Sequence, residues 1–100
     1  MSASRIEFSP EVAGDFERIL EHLRKHEVLD LAVRVHNIVV AMEALAHNPL
    51  IGRPTPGGNR EIVIGRDASG YISLYRYIAD MDTIFVLAVR AQKEAGFARP

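Results

Sequence analysis

The 100-residue chain contains no cysteine. That excludes disulfides, thiolate metal sites and cysteine nucleophiles together, and it suits a reducing compartment. No apolar run approaches the ~20 residues that a membrane span needs. No basic segment followed by an apolar stretch opens the chain, as a secretory signal would. The expectation is a cytoplasmic protein without membrane contact. An excess of charge of one sign is also missing, since 12 Lys+Arg face 13 Asp+Glu. Phosphate neutralisation dominates non-specific affinity for nucleic acid, so direct nucleic-acid binding by this chain alone is not expected. Aromatic residues make up only 7% of the chain.

What is present fits a globular protein: 48% of residues are hydrophobic and 25% charged. The length suits one core and is too short for two well-packed ones, so a single domain over residues 1–100 is expected. The charge is unevenly spread. Residues 1–48 carry five bases against eight acids, and residues 49–100 carry seven against five. Six of those seven bases are arginines: Arg53, Arg60, Arg66, Arg76, Arg90 and Arg99. Arginine is the side chain that forks onto carboxylate or phosphate, so an anion-binding surface belongs to the second half.

The hydrophobic pattern changes period along the chain. Ile6 and Phe8 alternate with Arg5 and Glu7 in a short strand. Ser9 can cap a helix that Pro10 and Glu11 open, with Val12, Phe16, Ile19, Leu20 and Leu23 along one face and Arg24, Lys25 and His26 at its end. Asp30 can cap a second helix, whose stripe is Leu31, Val35, Ile38, Val39, Met42, Leu45 and Ala46 and which stops at Asn48 and Pro49. The short connection predicts an antiparallel hairpin of helices. Val33 and Val40 lie off the stripe, so this helix is either buried on a second side or meets a partner there. The Gly- and Pro-rich loop Gly52 to Asn59 is a connector. From Arg60 the period is two, in "REIVIG", "YISLYRYIA" and "TIFVLAVRA", which reads as an antiparallel meander. The expected fold is α+β, in the order β-α-α-β-β-β. The helical hairpin should pack on a small, mainly antiparallel sheet, with the first strand at an edge or beside the last.

Candidate sites are few. His22 and His26 are four apart on a helix, but no third ligand stands at a metal-binding spacing, and His36 and His47 have no catalytic partner in view. No metal, cofactor or catalytic histidine is assigned. The loop "GRPTPGGN" lacks the nucleotide-binding arrangements and leads into a strand, not a helix. Tyr71, Tyr75 and Tyr77 share one side of their strand, where they could stack on bases or serve as core. Arg76 and Arg90 interrupt apolar faces. A desolvated guanidinium there needs a carboxylate, with Glu61, Asp80 and Asp82 available, or an anionic ligand.

With "SPEVAGDFERILEHL", "NPLIGRP", "REIVIG", "GYISLYRYI" and "VLAVRAQKEAGF" in this order, the chain from Ile6 to Phe97 resembles the RelE/ParE superfamily of type II toxins, and its ParE-like branch. The resemblance implies a small toxin neutralised by a cognate antitoxin in a hetero-oligomer. RelE-like members cut messenger RNA on the ribosome, whereas ParE-like members poison DNA gyrase. RNA cleavage by 2′-hydroxyl attack needs a base, an acid and cations for the phosphorane charge. RelE-like nucleases place an Arg on the last strand and a Tyr, often with a His, near the C-terminus. Here Gln92 stands about where that Arg would be, Ala91 has no titratable group and Phe97 has no hydroxyl. The reading is a gyrase inhibitor acting by binding. Arg53, Arg60, Arg66, Arg76, Arg90, Gln92 and Lys93 are candidate contacts for target or antitoxin. The antitoxin is expected to lay a helix on the apolar hairpin surface, with strand addition at the sheet edge as a further mode. The alternatives are a ribosome-dependent endoribonuclease using Arg60, Arg66, Arg76 and Arg90 for phosphate, and a non-toxic interaction module.

Overall fold

The computed structural model describes residues 3–25, 31–65 and 70–92. Five strands form one sheet: β1 (Arg5–Phe8), β2 (Arg53–Pro54), β3 (Arg60–Ile64), β4 (Tyr71–Ile78) and β5 (Thr83–Ala91), in the order β1-β5-β4-β3-β2. The helices α1 (Pro10–Lys25) and α2 (Leu31–His47) form the hairpin on one face. β1 runs parallel to β5 and every other pairing is antiparallel. The first strand is therefore both at an edge and beside the last. The loop expected as a plain connector contains β2, two residues that pair with Glu61 and Arg60. Because β2 is so short, Ile62, Val63 and Ile64 have no outer strand neighbour.

The two sheet faces differ. Residues paired across strands share a face, which puts Ile6, Ile62, Ile64, Tyr71, Tyr75, Ile84 and Val86 against the helices. Val12, Ile19 and Leu23 of α1 and Ile38, Met42 and Leu45 of α2 complete this core. Tyr71 and Tyr75 are buried and Tyr77 packs against the core, so the tyrosines are core residues and not a stacking platform. Of the stripe on α2, Val35 and Val39 are 42% and 48% exposed, and Val33 and Val40 on the other flank are 56% and 46% exposed. The second side of α2 is thus uncovered. Asp30, expected to cap α2, lies outside the described residues.

One irregularity resets the faces. Leu74 pairs with Ala88 while Tyr75 pairs with Val86, which leaves Leu87 as an extra residue in β5. Strict alternation would put Arg90 on the same side as Ile84 and Val86, under the helices. With the bulge, Val89 and Ala91 take the helix side and Arg90 joins Ile72, Leu74 and Arg76 on the outer face. The apolar face that Arg90 interrupts in the sequence is divided in two by the bulge.

α1 also closes the edge of β5. β1 ends at Phe8, opposite Val86, so the outward backbone groups of β5 beyond that point need other partners. Ser9 N–H donates to Val86 O at 2.9 Å and the Ser9 hydroxyl to Leu87 O at 3.3 Å, so the side chain expected to cap α1 reaches this strand edge. Val89 N–H donates to Asp15 Oδ2 at 3.1 Å, and Arg18 Nη2 donates to Val89 O at 3.3 Å. Asp15 is buried and lies 3.6 Å from the Arg18 guanidinium, which supplies its countercharge.

Candidate interaction surfaces

No helix among the described residues is long and apolar enough to cross a membrane. Among those residues no group of three or more His, Asp or Glu is placed to hold a metal ion. His47 Nδ1 lies 2.9 Å from Glu43 O on its own helix. Three surfaces remain.

The first is an apolar groove of about 510 Å³ between α1, α2 and β1. Phe8, Phe16, Leu20, Val35, Val39 and Ala46 are among its walls, with Arg34 and Glu43 also lining it. Phe8 and Phe16 meet edge to face with ring centroids 6.4 Å apart. The groove exists because α2 turns only part of its stripe into the core; Val35 and Val39 face the gap. At its β1 end, Ser4 N–H donates to Ala46 O at 2.9 Å, tying the strand to the end of α2. Ser4 Oγ donates to Asp82 Oδ1 at 2.6 Å and Tyr77 OH to the same oxygen at 2.8 Å. The Ser4 and Tyr77 hydrogen bonds hold the Asp82 carboxyl below its ordinary pKa, and the same bond to Asp82 raises that of Tyr77.

The second surface is the segment after α2, at the opposite sheet edge. Tyr75 OH accepts from Gly52 N–H at 2.8 Å and donates to Pro49 O at 2.8 Å. Burial raises the Tyr75 pKa, against the opposing pull of the Gly52 N–H and the nearby Arg60. Arg60 Nη1 donates to Gly52 O at 2.7 Å and Leu50 O at 3.2 Å. Gly52 has no alternative residue here, because a Cβ would lie 2.5 Å from Tyr75 Oη and 2.9 Å from Glu61 O. The tip residues Leu50 and Ile51 remain 59% and 53% exposed. Sequence reading passed over this pair. The signal was there in "NPLIG", two large aliphatic residues between turn-forming Pro and Gly, where side chains point outward.

The third is the outer sheet face, where Arg53, Arg76 and Arg90 lie on one side and Arg60 on the other. Arg53 pairs with Glu61, whose side chain is 12% exposed. Arg76 is exposed, not desolvated, and its partners are not carboxylates: Nε donates to Asn59 Oδ1 at 2.9 Å and Nη2 to Gly57 O. Asp82 is engaged with Ser4 and Tyr77 instead. Arg90 is half-buried, with Nη1 3.2 Å from Ala91 O. Gln92 is half-buried and its N–H donates to Gly70 O at 3.0 Å, closing the end of the β4–β5 ladder. Arg66 and Lys93 lie outside the described residues, as do Arg99 and Phe97. Asp15, Tyr75 and Ser4 are the polar residues the sequence did not single out as anchors; each is identifiable only once its backbone partner is in place.

Comparison with known proteins follows this architecture. A chain of the crystal structure of the toxin–antitoxin complex RelBE2 from Mycobacterium tuberculosis superposes with a TM-score of 0.62 at 21% identity, covering 94% of this chain and 97% of that one. A chain of the intact E. coli RelBE toxin–antitoxin complex gives 0.59 at 19%, covering 92% and 100%. Both likenesses establish the fold. No curated protein sequence matches. The profile described as "ParE toxin of type II toxin-antitoxin system, parDE" matches residues 6–96, nearly the whole chain. The chain belongs to the ParE toxin family, a type II toxin of the RelE/ParE superfamily.

Proposed function

We propose that this toxin arrests growth by binding DNA gyrase, without chemistry of its own, and that a cognate antitoxin neutralises it by laying an amphipathic helix in the groove between α1, α2 and β1. Membership of the ParE toxin family supports the first part. Arg53, Arg60 and Arg76 are committed to Glu61 and to loop oxygens, which suits a shaped recognition surface better than a phosphorane clamp.

The apolar groove supports the second part. Its walls present aliphatic and aromatic side chains, which an i, i+3, i+4, i+7 pattern of anchors on a helix would fill. The surrounding proteins of the structurally similar chains are consistent with such a partner, since both come from toxin–antitoxin complexes.

Purified toxin should inhibit supercoiling by gyrase and leave translated messages intact. Intact supercoiling together with message cleavage on the ribosome would refute the binding mechanism. For the groove, Val35→Asp with Val39→Asp should weaken antitoxin binding by about 100-fold, as for the central residues of an interface, when titrated by calorimetry.

A further inference from the structure

α2 is apolar on more sides than its own chain covers. Among its 17 residues only Arg34 and Glu43 carry a full charge, and a helix of that composition is ordinarily enclosed. Ile38, Met42 and Leu45 face the core, and Val35, Val39 and Ala46 face the groove. A third stripe remains in Val33, Asn37, Val40 and Ala44, set four, three and four residues apart, and all four are exposed. That spacing is the seam of paired helices, in which a single Asn among apolar residues fixes the alignment. A cavity of about 520 Å³ lined by Asn37, Val40 and Ala44 separates the stripe from Val63 and Ile64 of β3, so the sheet does not cover it either.

The stripe is complementary to itself. A second α2 laid antiparallel across a two-fold axis at Val40 makes an isologous contact, in which each residue of one copy meets its counterpart's partner on the other. Val40 then meets Val40 of the second copy. Asn37 lies by Ala44, the smallest residue of the seam, and Val33 lies by His47. Beside the seam Glu43 comes opposite His36, both exposed, so the one carboxylate of α2 gains an imidazole. Arg34 comes opposite Ala46, and no like charges are opposed. An acidic or a basic partner would find no charge in the seam to select it, whereas a copy of the chain matches at each position. The groove lies on a different flank of α2, so an antitoxin helix and a second toxin are compatible.

We propose that the toxin pairs with a second copy of itself through this stripe, α2 antiparallel to α2 about Val40. At 1.5 Å per residue the seam is about 20 Å long, which puts the dimer at the small end of specific interfaces and makes it concentration-dependent. The pairing holds whether or not gyrase is the target.

The chain has no cysteine, so single introduced thiols report the contact in the full-length toxin. Under mild oxidation Val40→Cys should form a disulfide-linked dimer at least about tenfold faster than Val35→Cys, because only the first is held beside its own copy. Val35 and Val40 are 42% and 46% exposed, so accessibility does not separate them. Without oxidant, sedimentation equilibrium should show the 11.1 kDa chain in equilibrium with its dimer. Val40→Glu should weaken that dimer by about 30-fold at an unchanged melting temperature, and Val63→Lys should leave it in place. Glu43→Lys should weaken it by about threefold, as for an exposed pair, and the added His36→Glu should restore it. Equal cross-linking at Val40 and Val35 overturns the proposal. So does faster cross-linking of Val63→Cys, which would place self-association at the strand edge. A wild type that stays monomeric at every concentration, or a Val40→Glu variant that dimerises as the wild type does, also overturns it.

Discussion

The two helices of the hairpin are fastened in different ways. α1 buries Val12, Ile19 and Leu23 in the core and adds a carboxylate, Asp15, that takes the place of a strand neighbour at the edge of β5. α2 buries Ile38, Met42 and Leu45 but leaves Val33, Val35, Val39 and Val40 about half exposed. Two of its ties lie at its C-terminal end, through Ser4 to Ala46 and through Tyr75 to the segment that follows. α1 belongs to the sheet, whereas α2 is only half covered. A helix of that kind is suited to receive a partner, because the apolar area still to be buried is already displayed.

Breaking the tether beyond α2 should have the largest effect. Gly52→Ala forces a methyl group into Tyr75 and the Glu61 carbonyl and should cost about 3 kcal/mol, read as a shift in the urea midpoint. The matching lesion on α1, Asp15→Ala, strands the Val89 N–H and removes the countercharge of Arg18. It should cost about 2 kcal/mol, and an equal or greater loss than at Gly52 would reverse the ranking of the two attachments. Replacing Val35 and Val39 by Ser should change stability by less than about 0.5 kcal/mol in the free toxin, since both are already exposed. A larger change would mean that α2 is packed as firmly as α1.

The smallest effect concerns pH. Asp82 has a folded-state pKa below its ordinary value of 3.8, so the stability it contributes is complete above 3.8 and disappears as pH falls through the lower folded value. The difference in melting temperature between wild type and Asp82→Asn should therefore be constant near neutrality and shrink under acid. A difference that persists unchanged at the lowest pH would show that the Ser4 contact does not depend on the charge.

Much of the architecture was legible from period alone. The helical stripe from Val12 to Leu23 and the alternation of Tyr71 to Ile78 identified α1 and β4, because burial on one face imposes a regular repeat. The bulge at Leu87 was not legible. Nothing in "FVLAVRA" distinguishes an extra residue from a regular strand, since the bulge carries no Gly and is specified by pairing with β4. Arg90 was consequently placed in an apolar face that the folded chain does not have. β2 was hidden for a similar reason, two residues being too few to show alternation. Arg60 and Arg76 find backbone and amide oxygens of a loop where the sequence offered carboxylates, and carbonyl acceptors leave no trace in side-chain composition. Between stacking and core, the tyrosines take the core role because Tyr75 satisfies its hydroxyl at Gly52 and Pro49 while its ring is fully buried.

The shortness of β2 bears on how the purified toxin behaves. Beyond Glu61 the outermost strand offers main-chain donors and acceptors beside an exposed Val63, a template on which a second extended chain can build. Concentrated preparations stripped of their neutralising partner will tend to self-associate there, and a charged or proline-bearing replacement of Val63 is the natural route to material that stays monodisperse.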